Sequence, residues 1–210
     1  MDITKIESRT LKLKKEKFNI NEKIRNVIED IKSKGDEIAI IFEQKEDHII
    51  VEADSIRIYQ VISNLLNNAF KSSKMCIDTG DNYSTGYDIS STITVLTAIK
   101  KFSNIYKNGK TGKNSLSNNH NAEVIVSIQD KGTGIDPDIQ DKLFSKFATK
   151  SDTGSGLGLY ISKGIVEAHD GKMWAENNSD GKGATFSFSL PINKENNLIL
   201  YSKVNQLMTK

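Results

Sequence analysis

The chain has 210 residues, of which 37% are hydrophobic and 27% charged, and its formal net charge is +2. This length fits one domain plus a short appendage, and no apolar run approaches the ~20 residues of a membrane span. The balanced charge gives no argument for nucleic acid or a membrane as a partner, and the single Cys76 excludes an internal disulfide. With no signal-peptide core at the N-terminus, these features predict a cytoplasmic protein.

Two helical patterns occupy residues 2–34, and a short alternating stretch at 11–14 separates them. The first pattern begins at the very start, like the end of a longer helix. Residues 38–42 and 49–51 are rich in β-branched side chains and predict two short strands that pair as a hairpin around a polar turn.

Asp54 is expected to cap a long helix that ends near Lys71. The second half of the chain predicts two strands on either side of a long polar connection at 103–121, a short helix, a glycine-rich loop, a second helix and two final strands that end before Pro191. The predicted ranges are 93–99, 123–129, 136–147, 154–158, 157–168, 172–176 and 184–190. This order predicts an α+β fold with a mixed sheet and helices on one face.

Polar side chains share one face of the long helix. At 100° per residue, an arc of about 80° contains Arg57, Gln60, Asn64, Asn68 and Lys71. An ordinary solvated face is one interpretation, yet asparagine is a poor helix former and three of them crowd this helix. A carboxamide oxygen suits Mg²⁺ and a lysine suits phosphate, so a ligand site is the other interpretation.

Two glycine-rich segments are further candidates. Asp130 to Gly134 follows a predicted strand, where it is either a common β-turn or a site that a ligand approaches closely. Gly154 to Gly158 leads into a helix, whose free N–H groups and dipole attract phosphate. Neither the P-loop nor the G-x-G-x-x-G pattern is matched, because position 104 is Asn104 and position 159 is Leu159.

Taken together and in this order, the motifs resemble those of the ATP-binding catalytic domain of sensor histidine kinases, in the GHKL family. The matching segments are Asn64 to Lys71 (N box), Asp130 to Gly134 (G1 box), Phe144 to Phe147 (F box), Gly154 to Gly158 (G2 box) and Gly183 to Phe186 (the closing strand). The resemblance implies an α+β, two-layer α/β sandwich with a mixed five-stranded sheet and three helices on one face. It also implies that ATP binds under a lid, here residues 147–153.

The resemblance carries roles over to individual residues. It implies that Asn68 binds Mg²⁺, with Asn64 beside it, and that Lys71 contacts phosphate. Asp130 would accept a hydrogen bond from the adenine amino group, and Thr185 would assist through water. Of the remaining residues, two would shape the adenine pocket and six would frame the lid and the phosphates: Gly132 and Gly134, then Phe147, Lys150, Gly154, Gly156, Leu157 and Gly158.

The resemblance also implies a domain organisation. Residues 1–10 would be the end of the second helix of a dimerisation domain, 11–191 the catalytic ATP-binding domain and 192–210 a C-terminal tail. The phosphoacceptor helix is not found in this chain, and His48, His120 and His169 are expected to be structural or solvated. The partner would be a dimerisation and histidine phosphotransfer domain, with a response regulator reached indirectly, and neither nucleic acid nor a membrane would be contacted. The interval 72–121 is longer than is usual.

Three functions remain open at this point. In ATPase relatives of this fold a glutamate one turn before the metal-binding asparagine activates water, and here that position is Asn64, whose amide cannot act as a base. This favours transfer to a histidine over hydrolysis, because phosphoryl transfer needs mainly positioning and charge neutralisation. A GHKL-type ATPase and a non-catalytic nucleotide-binding regulatory module are the alternatives.

Overall fold

The computed structural model describes residues 2–8, 10–33, 38–78, 92–101, 122–149 and 154–192. The predictions for 103–121, Lys150, His120 and the tail beyond 192 lie outside these residues. The helices are α1 (Asp2–Glu7), α2 (Ile20–Lys32), α3 (Ser55–Asp78), α4 (Pro137–Gln140) and α5 (Gly158–Ala168). The strands are β1 (Glu16–Asn19), β2 (Ile40–Gln44), β3 (Ile50–Ala53), β4 (Ile93–Lys101), β5 (Ala122–Gln129), β6 (Met173–Asn177) and β7 (Ala184–Ile192).

Five strands form one mixed sheet in the order β2-β4-β5-β7-β6, and β1 and β3 form a separate pair. The β2–β4 pair is parallel and the other pairs of the large sheet are antiparallel. Burial alternates along β4 and β5, as expected when one face of a sheet is covered. The helices α2, α3 and α5 contact this sheet, so the predicted α+β class with a mixed five-stranded sheet is confirmed.

The long helix α3 supplies much of the core. Asp54 caps it as predicted, because its Oδ1 accepts a hydrogen bond from the backbone N–H of Arg57 at 3.1 Å. Its apolar face is fully buried: Ile58, Val61, Ile62, Leu65 and Leu66 are each 0% exposed. The helix continues past the predicted end at Lys71 to Asp78.

The predicted hairpin between the second and third strands is wrong. Strand β2 pairs with β4, and β3 pairs with β1, so the two segments belong to different sheets. The connection between them is held instead by α2 and by the residue that caps it: Asn21 of α2 donates its side-chain amide to the carbonyl of Glu46 at 2.6 Å, and the N-cap residue Asn19 donates to that of Asp47 at 3.3 Å. These side-chain bonds fix the turn against the helix.

The structure differs from the prediction at three further places. Strand β1, at Glu16–Asn19, was not predicted from the sequence. Helix α4 ends at Gln140, since the chain beyond it forms successive turns, including the backbone bond from Ser145 to Lys142 at 2.7 Å. Strand β7 continues through Pro191, which pairs with Glu123 of β5 beyond the end of β6, so no ladder bond on that side is lost.

The N-terminal helix α1 packs on α5. Ile6 lies against Gly164, where an added Cβ would come within 2.5 Å of the isoleucine side chain. Glu7 forms an ion pair with Lys146, in the segment between α4 and α5. In the described part of the chain, no helix is long and apolar enough to cross a bilayer.

Candidate active site

A cavity of about 650 Å³ opens between α3, the loop after β5 and the start of α5. It brings together eight of the residues that the sequence predicted for the site: Asn64, Asn68, Lys71, Asp130, Gly134, Gly154, Gly156 and Gly158. Three segments that are far apart in sequence therefore form one site.

The polar face of α3 forms one wall. Asn68 and Lys71 line the cavity, and so does Asn67, which the sequence analysis had not assigned to the site. The side-chain nitrogen of Asn64 donates to the hydroxyl of Ser162 at 3.2 Å and reaches the carbonyl of Gly158 at 3.5 Å. Asn64 thus ties α3 to the start of α5 and sets the width of the cavity there.

Asp130 lies at the opposite end and is 1% exposed. Its Oδ1 accepts a hydrogen bond from the backbone N–H of Gly132 at 2.8 Å and another from the hydroxyl of Ser72 at 3.2 Å. Burial raises the pKa of the Asp130 carboxyl above its ordinary value, and these two hydrogen bonds oppose that rise. A buried carboxylate that lines a cavity is a strong acceptor for a ligand N–H group.

A second set of contacts holds the backbone of Asp130. The side-chain amide of Asn178 donates to the carbonyl of Asp130 at 2.7 Å and to that of Lys182 at 2.6 Å. The hydroxyl of Thr185 donates to Oδ1 of Asn178 at 2.7 Å. Thr185 is absent from the described lining of the cavity and contacts Asn178 instead, so the structure does not place this predicted ligand residue at the cavity itself.

Sequence reasoning had missed Asn178 because it lies in a run, Asn-Asn-Ser-Asp-Gly, that reads as an ordinary turn. Its asparagine side chain could have been singled out only by knowing which backbone carbonyls lie within its reach. The side chain of the adjacent Asn177 also holds a backbone group, since its Oδ1 accepts a hydrogen bond from the N–H of Ile135 at 2.7 Å.

A backbone hydrogen bond connects Phe147, the first residue of the predicted lid, to Gly156 in the glycine-rich loop that follows the lid. The N–H of Phe147 donates to the carbonyl of Gly156 at 3.0 Å, and both residues have positive φ, 61° and 64°. A Cβ on Gly156 would lie 2.5 Å from the carbonyl carbon of Phe147, so only glycine fits there. Three of the predicted site residues do not line the cavity: Gly132, Leu157 and Phe147, of which Phe147 is 70% exposed. Lys150 is not among the described residues.

Apolar side chains complete the cavity near Asp130. The sequence motifs do not single these residues out, because each also fits a core position. They are Ile135, Ile139, Leu143, Leu159 and Phe186. An apolar slot with one buried carboxylate suits a flat ring that carries an amino group.

The donor set for a metal is small. Within the described residues, no group of three or more His, Cys, Asp or Glu side chains could hold an ion. The Asn68 side chain offers a neutral oxygen of the kind that Mg²⁺ accepts, and Mg²⁺ commonly completes its shell with ligand phosphates and water. The residues present therefore fit a metal that arrives with a phosphorylated ligand.

Similar proteins include long sensor proteins. The chain is 52% identical over 71 residues to the sensor protein FixL of Bradyrhizobium diazoefficiens, covering 34% of this chain and 14% of FixL. It is 32% identical over 197 residues to the sensor protein KdpD of Clostridium acetobutylicum, covering 91% of this chain and 18% of KdpD. The chain thus spans less than a fifth of either relative.

Solved structures of histidine kinases are similar to most of the chain. The catalytic domain of histidine kinase ThkA superposes with a TM-score of 0.60 at 30% identity, covering 85% of this chain and 95% of that domain. Full-length ShkA, at 22% identity and a TM-score of 0.63, shares the fold. The family model described as "Histidine kinase-, DNA gyrase B-, and HSP90-like ATPase" matches residues 53–194, which hold α3, the cavity and the closing strand. The chain belongs to this family.

Proposed function

We propose that the chain is the ATP-binding catalytic domain of a two-component sensor histidine kinase, which transfers the γ-phosphoryl group of ATP to a histidine on a dimerisation domain. The observation that carries this proposal is the single cavity lined by Asn68, Lys71 and the buried Asp130. These groups suit a metal, a phosphate and an amino-substituted ring, all of which are present in Mg·ATP. The AMPPNP complex of the structural relative ShkA supports a nucleotide as the ligand.

In this proposal each wall of the cavity has one task. Asp130 accepts a hydrogen bond from the adenine amino group while the apolar side chains enclose the ring. Lys71 neutralises phosphate charge, and the loop from Gly154 to Gly158 offers backbone N–H groups at the start of α5. Asn68 would hold Mg²⁺, which when bound neutralises charge on the phosphates. The protein contributes positioning and electrostatics, which dominate phosphoryl transfer.

Asn64 argues against the ATPase alternative. A base that activates water must accept a proton, and a carboxamide cannot do so at neutral pH. The nitrogen of this amide already donates to Ser162 on α5, a role in packing rather than in proton transfer. Bound ATP is therefore kept for an incoming imidazole, which is a competent nucleophile when neutral.

The domain organisation remains a proposal too. We assign α1 to the end of the dimerisation-domain helix within residues 1–10, the catalytic domain to 11–191 and a tail to 192–210. The partner is then a dimerisation and histidine phosphotransfer domain, and a response regulator receives the phosphoryl group from it. A cytoplasmic location stays a prediction from the sequence.

The deciding experiment incubates the chain with γ-labelled ATP and Mg²⁺, with and without a separately purified dimerisation and phosphotransfer domain. The expected result is label on the histidine of the added domain and little free phosphate. Rapid release of phosphate without transfer would favour the ATPase alternative. Tight binding of ATP with neither reaction would favour the non-catalytic module.

A further inference from the structure

We propose that Ser72 is a positioning residue that holds the Asp130 carboxylate so that Oδ2 faces the 6-amino group of the purine, and that it thereby sets the preference for adenine. The inference rests on the proposed binding of ATP. Ser72 is not among the site residues that the sequence predicted.

Ser72 lies between Lys71, the proposed phosphate contact, and Asp130, the proposed adenine contact. It directly follows Lys71 on α3, lines the cavity, and donates its hydroxyl to Oδ1 of Asp130 at 3.2 Å. The N–H of Gly132 donates to the same oxygen at 2.8 Å. Both of these hydrogen bonds end on Oδ1, the backbone of Ala184 also interacts with the carboxyl, and we assign Oδ2 to the ligand.

Two donors from different elements define the plane of a carboxylate better than one. The Gly132 N–H comes from the loop after β5, two residues from Asp130, whereas Ser72 comes from α3. Without Ser72, only backbone groups of the loop and of the neighbouring strand would hold the carboxylate, and binding the purine would have to restrict more of its motion. A preorganised acceptor avoids this loss of freedom on binding.

The close packing at this point explains why a small hydroxyl stands at position 72. A Cβ on Gly132 would lie 2.0 Å from Oγ of Ser72 and 2.6 Å from its carbonyl carbon. The loop thus lies directly against the helix, and a side chain at position 132 would clash with Ser72 and displace the loop that follows Asp130. Serine supplies a donor without adding bulk.

The test uses a pair of ligands that differ only in the 6-amino group. Calorimetry compares ATP with purine riboside triphosphate, which has hydrogen in place of that group, for the whole 210-residue chain in the presence of Mg²⁺. Ser72→Ala should weaken ATP binding about two- to tenfold, the range expected for immobilising one side chain. Its affinity for purine riboside triphosphate should stay at the wild-type value, because that ligand has no amino group for Oδ2.

Ser73→Ala is the matched control. Ser73 is the next residue on the same helix and 2% exposed, and its hydroxyl has no hydrogen-bond partner among the described residues. This variant should keep the wild-type preference for ATP. An equal loss of preference in Ser73→Ala would overturn the proposal, because it would reflect a general effect on the helix.

Two further outcomes separate this inference from the proposed function. If the wild type prefers ATP and Asp130→Asn loses that preference while Ser72→Ala retains it fully, the role of Ser72 is wrong and the adenine site stands. If the wild type does not distinguish the two ligands, the assignment of Asp130 to adenine fails, and the role of Ser72 fails with it. In the double variant, Ser72→Ala should add nothing to Asp130→Asn.

Discussion

The backbone N–H of Asp54 donates a hydrogen bond to Nε2 of His169 at 2.8 Å, which connects the start of α3 to the end of α5. The histidine is 2% exposed, and its Nδ1 lies 2.8 Å from the carbonyl of Ile165. Because Nε2 accepts, Nδ1 carries the proton and the ring is neutral. The structural role predicted for His169 is thus confirmed.

His169 should make stability depend on pH. Its pKa is lowered chiefly by burial and also by Lys15, while the bond to Ile165 and the charges of Asp54 and Asp170 oppose the shift. Below about pH 6.5 the unfolded state therefore binds more protons than the folded state, and stability falls as the pH falls towards the lowered pKa. Chemical unfolding between pH 5 and 7 should show a slope of up to about 1.4 kcal/mol per pH unit from this group.

The variant His169→Gln should reduce that slope and lower stability by about 1–3 kcal/mol at pH 7, because buried hydrogen bonds are lost. An unchanged slope in His169→Gln would show that another group titrates.

Asp130→Asn should weaken ATP and ADP alike, because an amide can present a donor to the adenine amino group. Loss of a charge-assisted hydrogen bond is worth about 1.5–3 kcal/mol, or roughly a 10- to 150-fold change in Kd. Calorimetric titration measures this change, and equal affinities in wild type and variant would exclude the adenine role.

The same substitution should not reduce stability without nucleotide. The pKa of Asp130 is raised, so the folded state binds its proton more tightly than the unfolded state, and the charged carboxylate opposes folding at neutral pH. Removing the charge while keeping an acceptor oxygen should leave the Tm unchanged or raise it. A lower Tm would mean that the carboxylate itself stabilises the fold.

Gly183 and Gly181 form a matched pair, since both have a φ of +75°. A Cβ on Gly183 would lie 2.1 Å from the carbonyl oxygen of Asp130, whereas no atom of the described residues lies within 4 Å of the same position on Gly181. Gly181→Ala should lower stability by about 1–2 kcal/mol, the strain of a left-handed residue. Gly183→Ala should lower both stability and ATP affinity by more, and equal effects in thermal melts and titrations would contradict this contact.

Asn68→Ala should abolish the Mg²⁺ dependence of nucleotide binding and stop phosphoryl transfer. The residue faces the cavity and not the core, so the Tm without nucleotide should barely move. Titrations with ATP in Mg²⁺ and in a chelator measure the first effect. Transfer at the wild-type rate would rule out the metal role.

The 210-residue chain should bind labelled ATP without labelling itself. His169 is buried with both ring nitrogens engaged, and His48 contacts Asn19 through Nδ1 at 3.1 Å. Any phosphate transferred to an added domain should be acid-labile and alkali-stable, as in a phosphoramidate. Label on His48, His120 or His169, mapped by mass spectrometry, would overturn the domain assignment.

The local features and the motifs of this protein can be predicted from its sequence. The Asp54 cap, the buried face of α3 and the strands β4 and β5 follow from periodicity and capping, which act over a few residues. The motif order likewise indicated the family and eight residues of the cavity.

The pairing of the strands and the polar groups that support the site depend on contacts between residues far apart in sequence. Strand β2 joins β4 rather than its neighbour β3, because strand pairing depends on distant partners and on the side chains of α2 that hold the turn. Ser72 and Asn178 lie in ordinary helix and turn sequences, and they gain a role because folding brings them to Asp130, 58 and 48 residues away. A hydrogen bond extends about 3 Å, so its partner is known only once the chain has folded.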